Sequence, residues 1–209
     1  MNILGNKGAV GISFQLYGKS FLFISSHLSA HQEKSNGRTR DYHRINYGMN
    51  LKQSSSAPGT NLLLMCFQSI YFCLAYVCNR FDYVFWCGDL NYRINGIRSA
   101  IDAILEKGMV EVLWANDQLK KEMDSKRVFY GFYEYPVNFP PTYKYDLNSD
   151  KFDTSRRARI PSWTDRILIK TAFKFTVLEY FSHSSLKISD HKPVKLTCSL
   201  SPPKDSINF

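Results

Sequence analysis

Three polar side chains directly after an apolar segment are the first candidates for chemistry in this sequence. Residues 83–87 are mostly β-branched or aromatic and carry no charge, which predicts a buried strand. Gly88 ends that strand, and a carboxylate, an amide and a guanidinium follow at Asp89, Asn91 and Arg93. Buried strands often present catalytic or binding groups in this way at a sheet edge. An ordinary strand end with a Gly-Asp turn is the alternative interpretation of these residues alone.

Other predicted strands also carry reactive groups at or near their ends. His27 follows the apolar residues 21–25, Asp165 lies at the start of a predicted strand, and Asp190 and His191 precede another. A histidine at the end of an apolar strand is also commonly a hydrogen-bonded edge residue. No G-x-S-x-G motif or Cys-His arrangement indicates an activated covalent nucleophile.

The loops between these strands carry cations. They are Lys7, Arg93, Lys144, Arg156, Arg157 and Arg159. Carboxylates, an amide and histidines beside several cations favour hydrolysis at a phosphate by metal-activated water. A solvated basic face is the alternative explanation for the cations taken alone.

The elements that must position these residues follow from the hydrophobic pattern. Residues 8–17 alternate, with Val10, Ile12, Phe14 and Leu16 on one face, which predicts a half-buried strand. The turn that follows predicts a hairpin with the strand at 21–25. Helices are predicted within 31–50, at 97–107 and from Trp114 to Lys121, and closing strands at 164–170, 173–180 and 194–200.

Two segments do not fit this pattern of short elements. Residues 127–165 are rich in aromatic residues, prolines and cations, and their prolines predict a long structured loop without helix. A loop of that length inside a compact domain is usually functional. Residues 62–78 are apolar almost throughout but slightly short of the roughly 20 residues that span a membrane. We interpret them as a buried insertion, with a transmembrane helix as the alternative.

Composition limits the class of protein. The chain has 209 residues, 44% of them hydrophobic and 22% charged, which indicates one globular domain. Its net charge of +9 favours an anionic partner, which is a nucleic acid, a phosphorylated small molecule or an acidic membrane surface. The five cysteines form no C-x-x-C pair, which predicts a reducing compartment. The N-terminus does not match a signal peptide, so a cytoplasmic location is predicted.

Six short motifs occur in order along the chain. They are GNKG at 5–8, SHL at 26–28, WCGDLNYR at 86–93, FPPTYKY at 139–145, RIPSWTDR at 159–166 and SDH at 189–191. Together they resemble the catalytic domain of the inositol polyphosphate 5-phosphatases, in the magnesium-dependent endonuclease, exonuclease and phosphatase superfamily. The resemblance implies an α/β, DNase I-like fold, a four-layer β-sandwich flanked by helices. It assigns 1–200 to this domain, with 52–79 as an atypical insertion and 201–209 as a tail or the start of a linker.

The resemblance also implies roles for five residues at the reacting phosphate. Asp89 would orient and deprotonate the attacking water, and Asn91 would hold that water or the phosphate. His191 would stabilise the transferring phosphoryl oxygens, with Asp165 fixing its tautomer. His27 would contact the scissile 5-phosphate.

Substrate binding beyond the reacting phosphate is implied in the same way. The residues assigned to it are Asn6, Lys7, Arg93, Tyr143, Lys144, Arg157 and Arg159. The last four would bind the 4-phosphate, and the first two would approach the 1-phosphate side. The family more usually has lysine at position 157, and arginine there changes the geometry of hydrogen bonding and hence the expected substrate preference.

The implied cofactor is Mg²⁺, with Asp190 near it. In the family the main ligands, a glutamate and an asparagine, precede the first motif, and no equivalent precedes Gly5 in this sequence. The domain is therefore expected to be incomplete at its N-terminus, and an incomplete ligand shell binds Mg²⁺ weakly.

The predicted function is Mg²⁺-dependent removal of the 5-phosphate from a phosphoinositide lipid or a soluble inositol polyphosphate, for example phosphatidylinositol 4,5-bisphosphate. A lipid substrate would imply peripheral contact with an anionic membrane, aided by the positive charge. One alternative is a catalytically inactive phosphoinositide-binding module, because metal ligands are missing. Another is a DNase I-like nuclease, against which the predicted 4-phosphate residues argue, so no nucleic-acid partner is expected. The sequence leaves the oligomeric state open.

Overall fold

The computed structural model describes residues 6–51 and 76–200, which form two β-sheets with helices packed on them. The larger sheet has the order β1 (Gly8–Leu16), β2 (Lys19–His27), β3 (Tyr83–Asp89) and β4 (Asp165–Thr171). The smaller sheet pairs β5 (Phe175–Ser182) with β6 (Val194–Leu200). The helices are α1 (Ser35–Gly48), α2 (Arg98–Glu106), α3 (Val110–Trp114) and α4 (Gln118–Asp124), with a 3₁₀ turn at Val77–Asn79.

Strand β3 is an inner strand of the larger sheet, and its pairing determines where the functional side chains lie. It pairs in parallel with β2 and antiparallel with β4, and the register aligns Asp89 with both His27 and Asp165. The four residues from Tyr83 to Trp86 are buried, as the uncharged sequence predicted. The register therefore brings the ends of β2 and β3 and the start of β4 to one edge of the sheet.

The two faces of the larger sheet are covered by different layers. On one face, Trp86 packs against Tyr42 of α1 and against Phe129, with ring centroids 5.2 Å apart in each pair. On the other face, residues of the smaller sheet pack against buried aromatic residues such as Phe21 and Phe85. Apolar layers on both sides explain why β3 reads as a continuous hydrophobic segment.

Strand β1 differs from its prediction. The hairpin with β2 forms over the predicted residues, but Val10, Ile12, Phe14 and Leu16 are 43–71% exposed instead of facing a core. The cluster under the smaller sheet draws its buried members from β2, β3 and β4. Among the described residues, β1 is thus an edge strand whose apolar face lies outside that cluster, which accounts for the error.

Two of the predicted helices are confirmed, since α1 and α2 lie within the predicted ranges. The single helix predicted from Trp114 to Lys121 is wrong, because α3 ends at Trp114 and α4 begins at Gln118. Asp117 separates them by capping α4, and its carboxylate accepts a hydrogen bond from the backbone N–H of Lys120 at 2.9 Å. The predicted closing strands correspond to β4, β5 and β6 within two residues.

The long loop forms as the prolines predicted, with neither helix nor strand between Asp124 and Asp165. Most of the predicted insertion 52–79 and all of the tail 201–209 lie outside the described residues, so both assignments stay predictions. Within the described part of the chain, no helix has the length and apolar character needed to cross a membrane.

Candidate active site

The ends of β2 and β3 bring a histidine against a carboxylate. His27 Nε2 lies 3.0 Å from Asp89 Oδ2, and Lys7 Nζ hydrogen-bonds to the same imidazole nitrogen. The close approach of the two strands requires Gly88, which has φ +121°, and a Cβ there would lie 2.2 Å from the carbonyl oxygen of Ser26. The ammonium group of Lys7 and the carboxylate of Asp89 therefore both contact the imidazole of His27.

Asn91 is fixed by contacts on both sides of its amide. Its backbone N–H and its Nδ2 each donate to the Asp89 carboxylate at 3.0 Å, and Nδ2 also donates to the Leu28 carbonyl at 3.1 Å. Its φ of +56° is a conformation that asparagine tolerates better than most residues. Arg93 is buried and donates from Nη2 to Asn91 Oδ1 at 2.5 Å. The structure therefore places Arg93 behind Asn91, as a support for its amide.

Asp165 and His191 form the second carboxylate–histidine pair. His191 Nδ1 lies 2.9 Å from Asp165 Oδ2, an oxygen that also accepts hydrogen bonds from Thr142 Oγ1 at 2.7 Å and Thr164 Oγ1 at 2.9 Å. Because Nδ1 is engaged by the carboxylate, Nε2 is the nitrogen that can face a substrate. The two hydroxyls hold the carboxylate in position, which in turn fixes the imidazole.

The two histidines differ in their electrostatics. Burial lowers the pKa of His27, and the positive charge of Lys7 lowers it further, against the opposing effect of Asp89. Burial alone would also lower the pKa of His191, but the hydrogen bond and charge of Asp165 raise it above the usual value. Burial and the charge of Asp165 raise the pKa of Asp89. The cluster thus combines a histidine biased towards the neutral form, one biased towards the cation, and a carboxylate of increased basicity.

Tyr143 connects this cluster to the predicted 4-phosphate residues. The centroid of its ring lies 4.5 Å from that of His191, and Cζ of the Arg93 guanidinium lies 4.4 Å from the Tyr143 centroid. The next residue, Lys144, has Nζ 3.7 Å from Oδ1 of the buried Asp153.

The loop that carries the remaining predicted cations is shaped by hydrogen bonds to its backbone. The Asp153 carboxylate accepts from the N–H of Ser155 at 3.1 Å and of Arg159 at 2.8 Å. Arg98 of α2 donates from Nη1 to the carbonyls of Asp153 and Arg159, both at 2.9 Å. Arg157 is exposed and Arg159 is partly buried. The backbone N–H of Arg159 is linked through Asp153 to Lys144, whereas that of Arg157 donates to Ser155 Oγ at 3.3 Å.

The other predicted residues lie around the same cluster. Asn6 and Lys7 line a cavity of about 530 Å³ together with His27 and Asp89. The backbone carbonyl of Asp190 accepts a hydrogen bond from the N–H of Tyr145 at 2.9 Å. The five residues predicted to be catalytic therefore meet at one edge of the sheet. Of the substrate-binding predictions, Asn6, Lys7, Arg93 and Tyr143 lie against them.

Four residues of the site were not predicted from the sequence. Thr142 and Thr164 lie inside two of the motifs, yet their hydrogen bonds to Asp165 depend on a contact between the long loop and β4. Asp153 and Arg98 shape the basic loop. Arg98 pairs with Asp102 one helical turn later, with Nε and Oδ1 2.7 Å apart. This spacing of opposite charges is visible in the sequence and is the signal that indicates α2.

The described residues do not by themselves fit a magnesium shell. No group of three or more His, Cys, Asp or Glu side chains able to hold a metal occurs within 6–51 and 76–200. Mg²⁺ prefers six oxygen ligands in near-octahedral geometry. The Asp89 carboxylate already contacts His27 and Asn91, and that of Asp165 contacts His191. The metal contact predicted for Asp190 stays a prediction.

Comparison with known proteins decides the family. The model of the Endonuclease/Exonuclease/phosphatase family 2 matches residues 1–197. The chain belongs to this family. The resemblance drawn from the six motifs is thereby confirmed.

Several curated relatives of this family member are named as inositol phosphatases. The mouse type II inositol 1,4,5-trisphosphate 5-phosphatase is 40% identical over 196 residues, which cover 93% of the chain and 18% of the mouse protein. The human phosphatidylinositol polyphosphate 5-phosphatase type IV is 39% identical over 193 residues, which cover 90% of the chain and 29% of the human protein. The chain spans less than a third of the length of these relatives.

Solved structures agree on the fold. The inositol polyphosphate 5-phosphatase domain of a synaptojanin, in complex with inositol (1,4)-bisphosphate and a calcium ion, matches with a TM-score of 0.77 and 34% identity. The match covers 94% of the chain and 51% of that domain, and the predicted DNase I-like α/β fold is confirmed. A Cimex nitrophorin in a ferrous NO complex also matches, with a TM-score of 0.67 and 29% identity over 92% of the chain and 59% of the nitrophorin. Function therefore has to be argued from the site residues and not from the fold.

Proposed function

We propose that this domain removes the 5-phosphate from a phosphoinositide or an inositol polyphosphate, such as phosphatidylinositol 4,5-bisphosphate. The observation that carries the proposal is the 4.5 Å contact between the rings of Tyr143 and His191. It joins the residues expected to bind a second phosphate to the histidine expected to bind the reacting one. The names of the mouse and human relatives, and the inositol bisphosphate bound to the synaptojanin domain, support the same substrate class.

In the proposed reaction, water attacks the 5-phosphorus directly and no covalent intermediate forms. Asp89 accepts the proton of that water, which its raised pKa favours because a stronger base takes the proton more readily. Asn91 orients the Asp89 carboxylate through its backbone N–H and Nδ2, and its Oδ1, supported by Arg93, accepts a hydrogen bond from the attacking water. The bond between phosphorus and the ring oxygen breaks, and the ring oxygen takes up a proton, which balances the proton that Asp89 accepts from the water.

The charge that develops on the phosphoryl oxygens needs cationic or hydrogen-bonding partners. His191 supplies one through Nε2, since the raised pKa of this residue keeps a larger fraction of it protonated. Lys7 and His27 supply the others from the strand ends. A substrate that carries a neighbouring 4-phosphate would reach Lys144, Arg157 and Arg159 and gain charge-assisted hydrogen bonds there.

Magnesium dependence, a cytoplasmic location and peripheral contact with an anionic membrane belong to the same proposal. The calcium ion bound to the synaptojanin domain supports a requirement for a divalent metal. The net charge of +9 supports attraction to an anionic surface.

A second candidate function is binding of phosphoinositides without hydrolysis. It is favoured by the absence of a three-ligand metal group within the described part of the chain. Binding that survives EDTA, with no phosphate release, would identify this function.

The test is phosphate release from short-chain phosphatidylinositol 4,5-bisphosphate, with Mg²⁺ and then with EDTA. We expect Mg²⁺-dependent release by the 209-residue chain and a loss of about 10²–10⁴-fold in Asp89→Ala, because the general base is removed. Asp124→Ala is the matched control, since this exposed aspartate ends α4 and pairs with Lys120. Release that is unaffected by Asp89→Ala would contradict the mechanism. Cleavage of plasmid DNA without release from the lipid would instead favour the nuclease.

A further inference from the structure

Three exposed apolar side chains lie beside the candidate active site without belonging to it. They are Leu147, Leu186 and Ile188, with exposed fractions of 65%, 46% and 87%. Single exposed apolar residues are ordinary on protein surfaces, whereas several on adjoining loops mark an interaction surface more often. We call these three residues the Leu-Ile patch.

The loops that carry the Leu-Ile patch are joined to each other. The backbone N–H of Asn148 donates to the carbonyl of Lys187 at 2.8 Å, directly beside all three apolar residues. A second bond runs from the N–H of Tyr145 to the carbonyl of Asp190 at 2.9 Å. The three side chains therefore belong to one continuous surface, although about 40 residues separate Leu147 from the other two.

The same two loops supply residues of the candidate site. Lys144 lies three residues before Leu147, and His191 lies three residues after Ile188. The contact between Tyr143 and His191 holds these parts of the two loops together. The Leu-Ile patch consequently borders the site on the side of the predicted 4-phosphate residues.

The backbone beneath the patch is anchored from within the protein. The side chain of Lys192 is buried, and its Nζ donates to the carbonyls of Ser184 at 3.0 Å and of Leu186 at 3.1 Å. The N–H of Leu186 also donates to the carbonyl of His183 at 3.3 Å. The exposed side chains thus project from a fixed loop, and covering them requires no rearrangement of that loop.

Cations flank the patch. Lys151, Arg156 and Arg157 are exposed on the adjoining loop. Lys187 pairs with Asp150 at 2.5 Å, and the carboxylate of Asp146 is bonded to Thr154, so the excess positive charge comes from the first three residues. Apolar side chains that project from a basic surface match a membrane interface, where acyl chains lie beneath a layer of anionic headgroups. An aqueous inositol phosphate would use the cations but gain nothing from exposed leucine and isoleucine side chains.

We propose that the Leu-Ile patch inserts into the headgroup boundary of an anionic membrane, with the flanking cations bound to lipid phosphates. This docking turns the Tyr143 side of the site towards the lipid. The inference rests on the proposed function for its purpose, because it explains how a lipid-borne phosphate reaches the site. Binding to lipid can nevertheless be measured without hydrolysis.

The first test is co-sedimentation of the 209-residue chain with vesicles of 70% phosphatidylcholine and 30% phosphatidylserine. We expect Leu147→Ser/Ile188→Ser to bind about tenfold more weakly than the unaltered chain, because two apolar side chains no longer enter the interface. The matched control is Ile12→Ser/Leu178→Ser, which removes apolar side chains of similar exposure, 67% and 61%, from β1 and β5. Its binding should stay within about twofold of the unaltered chain. Pure phosphatidylcholine vesicles should bind all three proteins weakly.

The second test compares hydrolysis of two substrates by the same proteins. Leu147→Ser/Ile188→Ser should release phosphate from soluble inositol 1,4,5-trisphosphate at the unaltered rate and from vesicle-borne phosphatidylinositol 4,5-bisphosphate about tenfold more slowly. Equal vesicle binding by the two double variants, or no binding of the unaltered chain to anionic vesicles, would overturn the proposal. Patch-dependent vesicle binding without release from either substrate would instead overturn the proposed function and leave the docking surface intact.

Discussion

The two halves of the candidate site are held in place by different kinds of structure. One half comes from strand ends and is positioned by the register of the larger sheet, which aligns Asp89 with His27 and with Asp165. The other half comes from the long loop and is positioned by hydrogen bonds from side chains to backbone, centred on Asp153 and Arg98. A shift of one residue in strand register would move every side chain of the strand to the other face of the sheet. A loop can change its sequence while the hydrogen bonds that hold its backbone persist.

This difference suggests that the two halves of the site have different roles. In the proposed reaction, the strand-end half holds the groups that transfer a proton or contact the developing charge, and their geometry has to be accurate. The loop half holds cations that we propose select the substrate by their number and position. We therefore expect changes in the strand-end half to reduce kcat and changes in the loop half to increase KM.

Among the variants that test this comparison between the two halves, the largest effect is expected from Asp165→Asn. The amide keeps the shape of the carboxylate but removes the charge that holds His191 in one tautomer and raises its pKa. We expect kcat for soluble inositol 1,4,5-trisphosphate to fall on the order of 10²–10³-fold, with little change in KM. Steady-state kinetics would measure this, and Asp124→Asn is the control. An increase in KM at constant kcat would place Asp165 among the binding groups instead.

The same variant should alter the pH dependence. A histidine with a raised folded-state pKa contributes stability below its unfolded pKa of about 6.5, and that contribution is lost as pH rises through the folded pKa. If protonated His191 is the active form, kcat declines over the same higher range. Asp165→Asn should therefore move the alkaline limb of the kcat profile to lower pH. If the alkaline limb of the kcat profile stayed at the same pH in Asp165→Asn, a group other than His191 would be responsible for it.

These two halves also differ in how far the sequence predicts them. The strand-end residues could be located because an uncharged strand, a glycine and polar residues follow one another in order, and the motifs assigned their roles. The hydrogen bonds from the hydroxyls of Thr142 and Thr164 to Asp165 could not be predicted, because they depend on how a loop without regular structure packs against β4. The exposure of β1 was also missed, because alternation indicates an apolar face and not whether another layer covers it.

An intermediate effect is expected from Arg159→Ala in the loop half. The variant removes a cation from the predicted 4-phosphate site, while the backbone bond of residue 159 to Asp153 can persist. We expect KM to rise about tenfold for substrates with a 4-phosphate, as for the loss of one charge-assisted hydrogen bond. A substrate that lacks the 4-phosphate should be hydrolysed equally by both proteins. Equal losses for both substrates would show that Arg159 acts on the fold and not on the 4-phosphate.

The smallest effect is expected from Arg98→Ala, which tests whether the loop half depends on its anchor. Arg98 lies on α2 and holds the loop through the carbonyls of Asp153 and Arg159, so we regard it as a positioning residue. We expect KM to rise two- to threefold, about 0.4–0.7 kcal/mol, while kcat and its pH profile stay unchanged. The control is Arg44→Ala, which removes an exposed arginine of α1 whose Nη2 lies 3.9 Å from Asp41 Oδ1. A fall in kcat in Arg98→Ala would mean that the basic loop and the strand ends are mechanically coupled, and the division between the two halves would then be wrong.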